Sequence, residues 1–199
     1  MPAEKRRAGR PPATLGKRDV ILDAALRCFV ERGFHGTSMP DIAERAGIAA
    51  GTIYHYFPSK EALVNTLFRT WKAEIAQRVF AAFPQHAPPR EQFAIMWRTM
   101  ADFALKHRDA FAFLELHHHT TYLDGESIAV DRNLKDFAHG IVRRAQADGL
   151  LKPVDPNLLM ELVFGAFNGM MAAVYDARIT LTPAAIAASD EACWDMVSV

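Results

Sequence analysis

The stretch TIYHYFPSK at residues 52–60 concentrates side chains that can both stack and donate hydrogen bonds. Two tyrosines, a histidine and a phenylalanine occupy positions 54–57, and Lys60 follows three residues later. A tyrosine can lay its ring against a sugar and donate its hydroxyl to a phosphate, and a lysine ammonium can pair with another phosphate. The same rings could instead be packed in a core, because tyrosine is often buried. The stretch therefore predicts either a phosphate-binding surface or part of a core.

A second stretch, LELHHHTTYLD at residues 114–124, holds three consecutive histidines. Successive helical residues point about 100° apart, so His117, His118 and His119 cannot bind one ion together. Glu115 and His119 have the i, i+4 spacing of two ligands on one helix, but no cysteine lies near them in sequence. We predict no metal and no other cofactor here, and we expect His118 to line the core or a pocket. The weaker alternative is a metal-binding enzyme that uses Glu115 and His119.

The elements that hold these residues have helical rather than strand periodicity. Ser38 with Asp41, Ser59, Asp155–Pro156 and Thr182–Pro183 are start signals for helices. About nine helices are predicted. The first has an apolar stripe at residues 21–29 and ends at Gly33, and the fourth begins after Ser59 and reaches at least Val79; the others are 39–46, 50–56, 90–106, 109–119, 127–147, 156–175 and 183–196. The short pair at 39–46 and 50–56, separated by the residues GIA, indicates a helix-turn-helix.

Composition and charge set the broad class. The chain has 199 residues, of which 50% are hydrophobic and 23% charged, as in an ordinary globular protein. Residues 1–80 carry 13 Lys/Arg against 8 Asp/Glu, and residues 81–199 carry 10 against 15. The basic arm at residues 1–16 indicates either a polyanionic partner or a solvated tail. Cys28 and Cys193 are isolated in sequence and form no disulfide framework. Neither a signal peptide nor an uninterrupted apolar run of membrane-spanning length is evident. We therefore expect a cytoplasmic protein without a membrane partner.

The segment GFHGTSMPDIAERAGIAAGTIYHYFPSKEAL at residues 33–63 resembles the DNA-binding domain of the tetracycline-repressor (TetR) family. The matching positions are Gly33–Phe34, Thr37, Ile42–Ala43, Ala46–Gly47, Gly51–Thr52, Tyr54, Tyr56–Phe57, Lys60 and Leu63, in order and without gaps. The resemblance implies an all-α dimeric regulator that binds double-stranded operator DNA and is released by a small molecule. It implies a three-helix helix-turn-helix domain at residues 17–77 and a helical domain for ligand binding and dimerisation at residues 78–199.

The resemblance also assigns roles to individual residues. It makes Tyr54, Tyr56 and Lys60 contacts to the DNA backbone. Base contacts fall to Ala50, Gly51, Thr52 and His55, where small side chains permit close approach. Arg6, Arg7 and Arg10 of the arm, together with Thr37 and Ser38, complete the predicted DNA-binding set. Ala49 stands where the family commonly has serine or threonine, which removes a helix cap worth about 1 kcal/mol.

The C-terminal half supplies candidates for a pocket and a dimer interface. The helix at 156–175 is apolar nearly all round, which indicates burial on two sides, either in a dimer or at the centre of a monomer. The family forms its dimer through the last two helices, so we predict Gly165, Gly169, Phe167 and Trp194 at the interface. The predicted pocket residues are Trp97, Met100, Phe103, Phe111, His118, Tyr122, Phe137, Phe164, Asn168 and Met171, which indicate a largely apolar effector.

The functional prediction is a ligand-responsive transcriptional regulator, without catalysis, that acts as a repressor on a palindromic operator. A regulator with the same DNA-binding domain that activates or organises DNA is the first alternative. The metal-binding enzyme is the second, since no nucleophile or complete ligand set accompanies Glu115 and His119.

Overall fold

The computed structural model describes residues 16–116 and 121–199. Within these ranges the chain forms nine α-helices and one π-helical segment, with an isolated antiparallel bridge between Leu151 and Ser198. The helices are α1 (Lys17–Arg32), α2 (Met39–Arg45), α3 (Ala50–Ile53), α4 (Lys60–Ala82), α5 (Pro89–Lys106), α6 (Arg108–Phe111), α7 (Gly125–Ala147), α8 (Pro156–Tyr175) and α9 (Pro183–Val197), and the π-helical segment spans Ala112–Leu116. The prediction of an all-α chain is confirmed.

The helices α1 to α3 pack around a small core. The apolar stripe predicted for α1 is buried at Ile21, Leu22, Ala25, Leu26 and Phe29. Ile42 of α2 and Ile53 of α3 are fully buried against the same core. Gly33 ends α1 with a φ of 68°, a left-handed conformation that glycine adopts without strain.

The predicted helix starts are confirmed by their hydrogen bonds. Ser38 and Asp41 form a capping box: the Asp41 N–H donates to Ser38 Oγ at 3.3 Å, and the Ser38 N–H donates to an Asp41 carboxylate oxygen at 2.8 Å. The hydrogen bonds from Ser38 lower the pKa of Asp41. Ser59, Asp155 and Thr182 cap α4, α8 and α9 through their side-chain oxygens.

Helix α4 connects the two halves of the chain. Its 23 residues span about 34 Å at 1.5 Å per residue. Leu63 and Leu67 are buried near its start, and Ile75 and Val79 are buried near its end. The predicted division at residues 77–78 falls inside this continuous helix, and one hydrophobic core continues past it on both sides. The division itself stays a prediction.

The helices α5 to α9 form the larger bundle, which differs from prediction after α5 and at the start of α7. In place of the single helix predicted at 109–119, the described residues 108–116 form a short α6 followed by the π-helical turn, and residues 110–114 are all buried. The wider turn of a π-helix changes the phase of successive side chains, which a 3.6-residue pattern does not anticipate. Helix α7 begins at Gly125, two residues before the predicted start, because Asp124 accepts the Ser127 N–H and caps it.

Helix α8 is a candidate membrane-spanning helix, although the sequence contains no uninterrupted apolar run of that length. By length and composition alone Pro156–Tyr175 is apolar enough to span a membrane, with a mean hydropathy of 1.5. A search for an uninterrupted apolar run misses it because Glu161 and Asn168 interrupt the run. A single such helix is weak evidence for a membrane, because core and interface helices pass the same test.

Candidate nucleic-acid interface and apolar cavity

Helices α2 and α3 are joined by a tight turn at residues 46–49. Gly47 has a φ of 67°, and the Ile48 N–H donates to the Ala43 carbonyl at 3.0 Å. Ile42 and Ile53 hold the two helices together from inside. The arrangement is a helix-turn-helix, in which the second helix can enter a major groove while the first braces it.

The second helix of the motif is shorter than the predicted 50–56. Regular α-helix ends at Ile53, and the Tyr56 N–H donates to the Ile53 carbonyl in a tighter turn, at 3.0 Å. Pro58 lacks an N–H and disfavours helical conformation in Phe57, so it prevents the helix from continuing past this turn, but it does not account for the end at Ile53. Ala49 stands at the N-cap without a side-chain hydrogen bond, as its lack of a hydroxyl predicts.

The aromatic run divides between solvent and core. Tyr54 is 51% exposed and Tyr56 is 39% exposed, whereas Phe57 is 3% exposed and closes the core. His55 is exposed between the tyrosines. The alternative that a tyrosine of this run is packed in the core is therefore wrong. Both phenolic rings are available to a partner.

The predicted base-contact residues lie on the same outer side of the motif. Ala50 and Gly51 are exposed in the first turn of α3, and Thr52 is half-buried beside them. A Cβ added at Gly51 would meet nothing within 4 Å, so its backbone faces open space. Small side chains here leave the helix able to approach a groove closely.

Lys60 has a structural role that the sequence did not reveal. Its ammonium donates to the carbonyls of Phe34 and Thr37 at 2.7 and 2.8 Å, and it lies 4.2 Å from the centroid of the Phe34 ring. Two of its three protons are thus used inside the chain. Lys60 fastens the α1–α2 connection to the start of α4, and a phosphate contact from its third proton or its backbone N–H stays a prediction.

The prediction that Thr37 contacts DNA is wrong. Its side chain is buried, and its hydroxyl lies 3.1 Å from the Cys28 carbonyl and 2.8 Å from the Gly33 carbonyl. The hydroxyl therefore ties the end of α1 to the start of the motif and is not available to DNA. Ser38 is exposed beside it, with its hydroxyl in the α2 cap.

Positive charge next to the motif comes from the start of α1. Lys17 and Arg18 are exposed, and the Arg18 guanidinium lies 5.5 Å from the ring of Phe57, which directly follows Tyr56. Arg18 was not among the predicted contacts, although its place at the end of the basic arm was a usable signal. Arg6, Arg7 and Arg10 lie outside the described residues, and their contacts stay predictions.

A polar junction joins the helix-turn-helix unit to α7. The buried Asn65 side chain of α4 donates to the Tyr122 carbonyl at 2.9 Å and accepts the Asp124 N–H at 2.8 Å. Arg69 donates to the Asp124 carboxylate at 2.9 Å. The Tyr122 ring stacks on Phe34 with centroids 4.0 Å apart, so Tyr122 is not at the predicted pocket. No sequence pattern indicated this junction, because its members are 55 or more residues apart.

A buried ion cluster lies further along α4. The Lys72 ammonium is 2.8 Å from Glu115 and 3.0 Å from Asp131, and its side chain is 7% exposed. Burial is the strongest influence on the pKa of Lys72 and lowers it, but the two carboxylates outweigh burial and leave the pKa raised. Burial likewise acts to raise the pKa of Asp131, but Lys72 and Lys135 leave it lowered.

The same cluster bears on the metal hypothesis. Glu115 is an ion-pair partner of Lys72, and no group of three or more potential metal ligands occurs among the residues of 16–116 and 121–199. His117, His118 and His119 lie outside the described residues. The prediction that they do not form a required metal site stays a prediction.

An apolar cavity of about 130 Å³ lies among α5, α7, α8 and α9. Of the predicted pocket residues, Trp97, Met100 and Phe164 line it. The others do not line it. Phe103, Phe111 and Met171 lie in the fully buried core. Phe137 packs edge-on against Phe80 and Phe83, and Asn168 lies outside the lining. The lining residues Ile141, Val142 and Trp194, from α7 and α9, were not among the predicted pocket residues. Helical phase marks apolar faces but does not say which of them leave a space between helices.

The outer face of α8 is apolar and exposed. Leu158 is 52% exposed and Leu162 is 45% exposed, and Gly165 and Gly169 lie beside them with open space where a Cβ would be. Trp194 lines the cavity but is half-buried, so its place at the interface stays a prediction. Phe167 is a correction to the predicted interface, because it is buried and lines the cavity inside the subunit. The reason is geometric: Phe167 lies about 200° around the helix from Gly165, on the opposite face.

The fold and these two sites define a class of protein. A helix-turn-helix unit joined by one continuous helix to a bundle with an apolar cavity is the architecture of a DNA-binding transcriptional regulator. The family described as bacterial regulatory proteins, tetR family, matches residues 21–67, and the one described as tetracyclin repressor-like, C-terminal domain, matches residues 68–199. The chain belongs to the TetR family of transcriptional regulators.

Individual relatives agree with this assignment. The fatty acid metabolism regulator protein of Bacillus subtilis is 27% identical over 151 residues, 74% of this chain and 78% of that protein. The HTH-type transcriptional repressor KstR2 of Rhodococcus jostii is 46% identical over 54 residues, 27% of this chain and 26% of that protein. The crystal structure of a TetR family transcription regulator from Marinobacter aquaeolei VT8 has a TM-score of 0.81 and 25% identity, over 92% of this chain and 95% of that one.

Proposed function

We propose that the protein is a repressor that binds a palindromic operator as a homodimer and leaves it when a small apolar effector binds. The observation that carries the proposal is the solvent-exposed Tyr54–Tyr56 segment at the end of α3, since exposed aromatic side chains with hydroxyls suit a phosphate-lined groove. The name of the relative KstR2, a transcriptional repressor, supports repression over activation. The proposal places the protein in the cytoplasm and includes no enzymatic activity.

The path from cavity to DNA supports release by an effector. Helix α7 lines the cavity with Ala138, Ile141, Val142 and Ala145. Its other end, at Asp124, is hydrogen-bonded to Asn65 and Arg69 of α4, which begins next to the helix-turn-helix. A ligand that displaces α7 would act on α4 through these bonds. A ligand shifts such an equilibrium only by its differential affinity for the two arrangements.

Substitutions can distinguish contacts to phosphate from contacts to bases. Tyr56→Phe keeps the ring and removes the hydroxyl, so it should weaken binding to operator and unrelated DNA alike, by about 1 kcal/mol for one lost hydrogen bond. Thr52→Ala should instead relax the preference at one base pair in each half-site. Fluorescence anisotropy with operator, single-site mutants and a scrambled duplex measures both effects.

Thermal melting of the DNA-free variants is the control. Both residues are at least partly exposed, so neither substitution should lower Tm by more than a degree or two. If Tyr56→Phe lowered Tm and left DNA affinity unchanged, the phosphate role of Tyr56 would be refuted. Lys60 is not suitable for the same comparison, because substituting it would also remove its hydrogen bonds to the α1–α2 connection.

The exposed apolar face of α8 provides a test of the dimer. Leu162→Glu should separate the subunits, because it places two charges in the proposed apolar interface. Leu105→Glu on α5 is a matched control, since Leu105 is 42% exposed and lies outside this face. We expect light scattering to show a monomer for the first variant and a dimer for the second. A dimeric Leu162→Glu variant would place the interface elsewhere.

The direction of control needs a separate measurement. Deletion of the gene should raise transcription from the promoter that carries its operator, and the effector should do the same in the intact strain. Lower transcription after deletion would show an activator with the same DNA-binding domain. The operator next to its own gene is the first sequence to use.

A further inference from the structure

The cavity differs from a general hydrophobic pocket in its size. Its volume of about 130 Å³ lies well below the range of roughly 300–1,000 Å³ that drug-sized ligands occupy. An engineered apolar cavity of about 150 Å³ stays dry and binds a single benzene ring. The cavity among α5, α7, α8 and α9 thus has the size of one ring or a short hydrocarbon.

The lining is also unusual in its chemistry. None of the 17 lining residues carries a charged group, a carboxamide or a hydroxyl. The only side-chain donors are the two indole N–H groups, and that of Trp97 donates to the Ser189 hydroxyl at 2.9 Å. A ligand with several polar groups would lose its hydrogen bonds to water without replacement, which is costly in an apolar site.

The charge on Arg90, which contacts the lining residue Trp194, does not favour an anionic ligand. Arg90 lies with its guanidinium 5.7 Å from the Trp194 ring, but its Nη2 atom is 2.5 Å from the Asp190 carboxylate. That contact is close without good hydrogen-bond geometry, and Arg90 Nη1 has no hydrogen-bond partner among the described residues. Neither residue belongs to the lining. A carboxylate entering the cavity would meet an arginine that a buried aspartate already neutralises.

Aromatic side chains dominate one side of the cavity. Phe93 packs against Trp97 and Trp194 with ring centroids 5.7 and 5.5 Å apart, and Trp97 meets Phe167 edge to face at 5.0 Å. Ring pairs in such offset and edge-to-face arrangements are favoured beyond their buried area. Met96, Met100 and Met160 supply adaptable walls around this group.

We propose that the effector is a neutral aromatic compound of about one ring, bound in this cavity against Phe93, Trp97, Phe167 and Trp194. The proposal rests on the function proposed above and specifies its effector class. The competing effector class is an acyl-chain carboxylate, which the name of the fatty acid metabolism regulator of B. subtilis suggests.

The test uses the full-length protein without DNA. Toluene and indole are the ring probes, and octanoate is the acyl carboxylate probe. Two tryptophans line the cavity, so ring binding should change the intrinsic fluorescence, and a hundredfold excess over Kd should raise Tm by about 5 °C or more. Octanoate at the same concentrations should do neither.

Variants locate the site. Ala138→Leu places a larger side chain in the cavity wall of α7 and should reduce ring affinity by tenfold or more. Ala129→Leu on the same helix is the control, since Ala129 is exposed and away from the lining, and should leave ring affinity unchanged. Phe93→Leu is a second variant in case the first fails to fold, and it should weaken the ring probes by removing the stacking partner.

The outcomes separate this inference from the proposed function. Octanoate binding without ring binding would overturn the effector class and leave a regulator released by an acyl ligand. Ring binding that Ala138→Leu and Phe93→Leu leave intact would place the ligand elsewhere and also overturn it. Ring binding that both variants weaken supports a one-ring site in this cavity. If the bound ring leaves operator affinity unchanged, the ring is not the effector and release through this cavity fails. Binding of neither probe class contradicts the inference.

Discussion

Raising the salt concentration from 50 to 200 mM should weaken operator binding by about 10³ to 10⁵-fold. The reason is counterion release: a dimer that neutralises roughly six to ten phosphates has a log–log slope of about −5 to −9. Two copies of the Tyr54–Tyr56 surface, the exposed Lys17 and Arg18, and the basic arms supply the contacts. Anisotropy titrations of operator and scrambled duplexes at four salt concentrations give the slopes.

The basic arm provides the matched comparison. Replacing Arg6, Arg7 and Arg10 together by alanine removes three positive charges per subunit and should reduce the slope by about two to three units per subunit bound. The discrimination between operator and scrambled DNA should change little, because phosphate contacts carry no sequence information. An unchanged slope would show that the arm is a solvated tail that does not contact phosphates. A flat salt dependence of the parent protein would refute phosphate-dominated binding altogether.

Lys72→Met should destabilise the protein by about 2–4 kcal/mol at pH 7. The substitution keeps most of the volume of the side chain but leaves Glu115 and Asp131 without their buried counter-charge, and breaking a buried pair in this way typically costs about 3–5 kcal/mol. We expect the lower figure because both carboxylates retain roughly a fifth of their exposure. Urea unfolding followed by circular dichroism measures the difference.

The pH dependence identifies the charge as the cause. The raised pKa of Lys72 means that its contribution is present below its ordinary value and is lost as pH rises through its folded value. The lowered pKa of Asp131 means that its contribution is present above its ordinary value near 4 and is lost as pH falls through its folded value. The difference between parent and variant should therefore be largest between about pH 5 and 9 and should shrink below about pH 4.

Lys135→Met is the control for this cluster. Lys135 contacts the same Asp131 at 2.8 Å, but its side chain is 58% exposed, so its loss should cost less than about 1 kcal/mol. Equal effects of the two substitutions would show that burial of Lys72 is unimportant. A loss from Lys72→Met that persisted unchanged at pH 4 would point to packing rather than charge.

Local patterns in the sequence were sufficient for the helices and for the motif. The Ser38–Asp41 capping box, the glycine at position 47 and the cap at Ser59 act over three or four residues, and the structure shows each of them. The early end of α3 at Ile53 could not be predicted in this way, because Pro58 restricts the conformation of Phe57 and not that of residues 54–56. The extra turn predicted for α3 came from reading the aromatic run as helix.

The roles of Thr37, Lys60 and Phe167 could not be inferred in the same way. Each matched a pattern that suggested a surface contact, yet Thr37 and Lys60 donate to backbone carbonyls and Phe167 lines the cavity. The partners of Lys60 lie 23 and 26 residues away. A side chain that fits phosphate also fits a carbonyl, and only the approach of α4 to the α1–α2 connection decides between them.

The sequence by itself determined an all-helical regulator with a helix-turn-helix near its N-terminus, because capping, helical period and the residues of 33–63 all act locally. The tertiary structure alone decided which apolar faces meet and which leave a cavity, and it brought Lys72 to Glu115 and Asp131 across 43 and 59 residues of chain. The physical reason is that a helical pattern fixes the face on which a side chain lies, whereas its partner depends on how the helices pack in three dimensions.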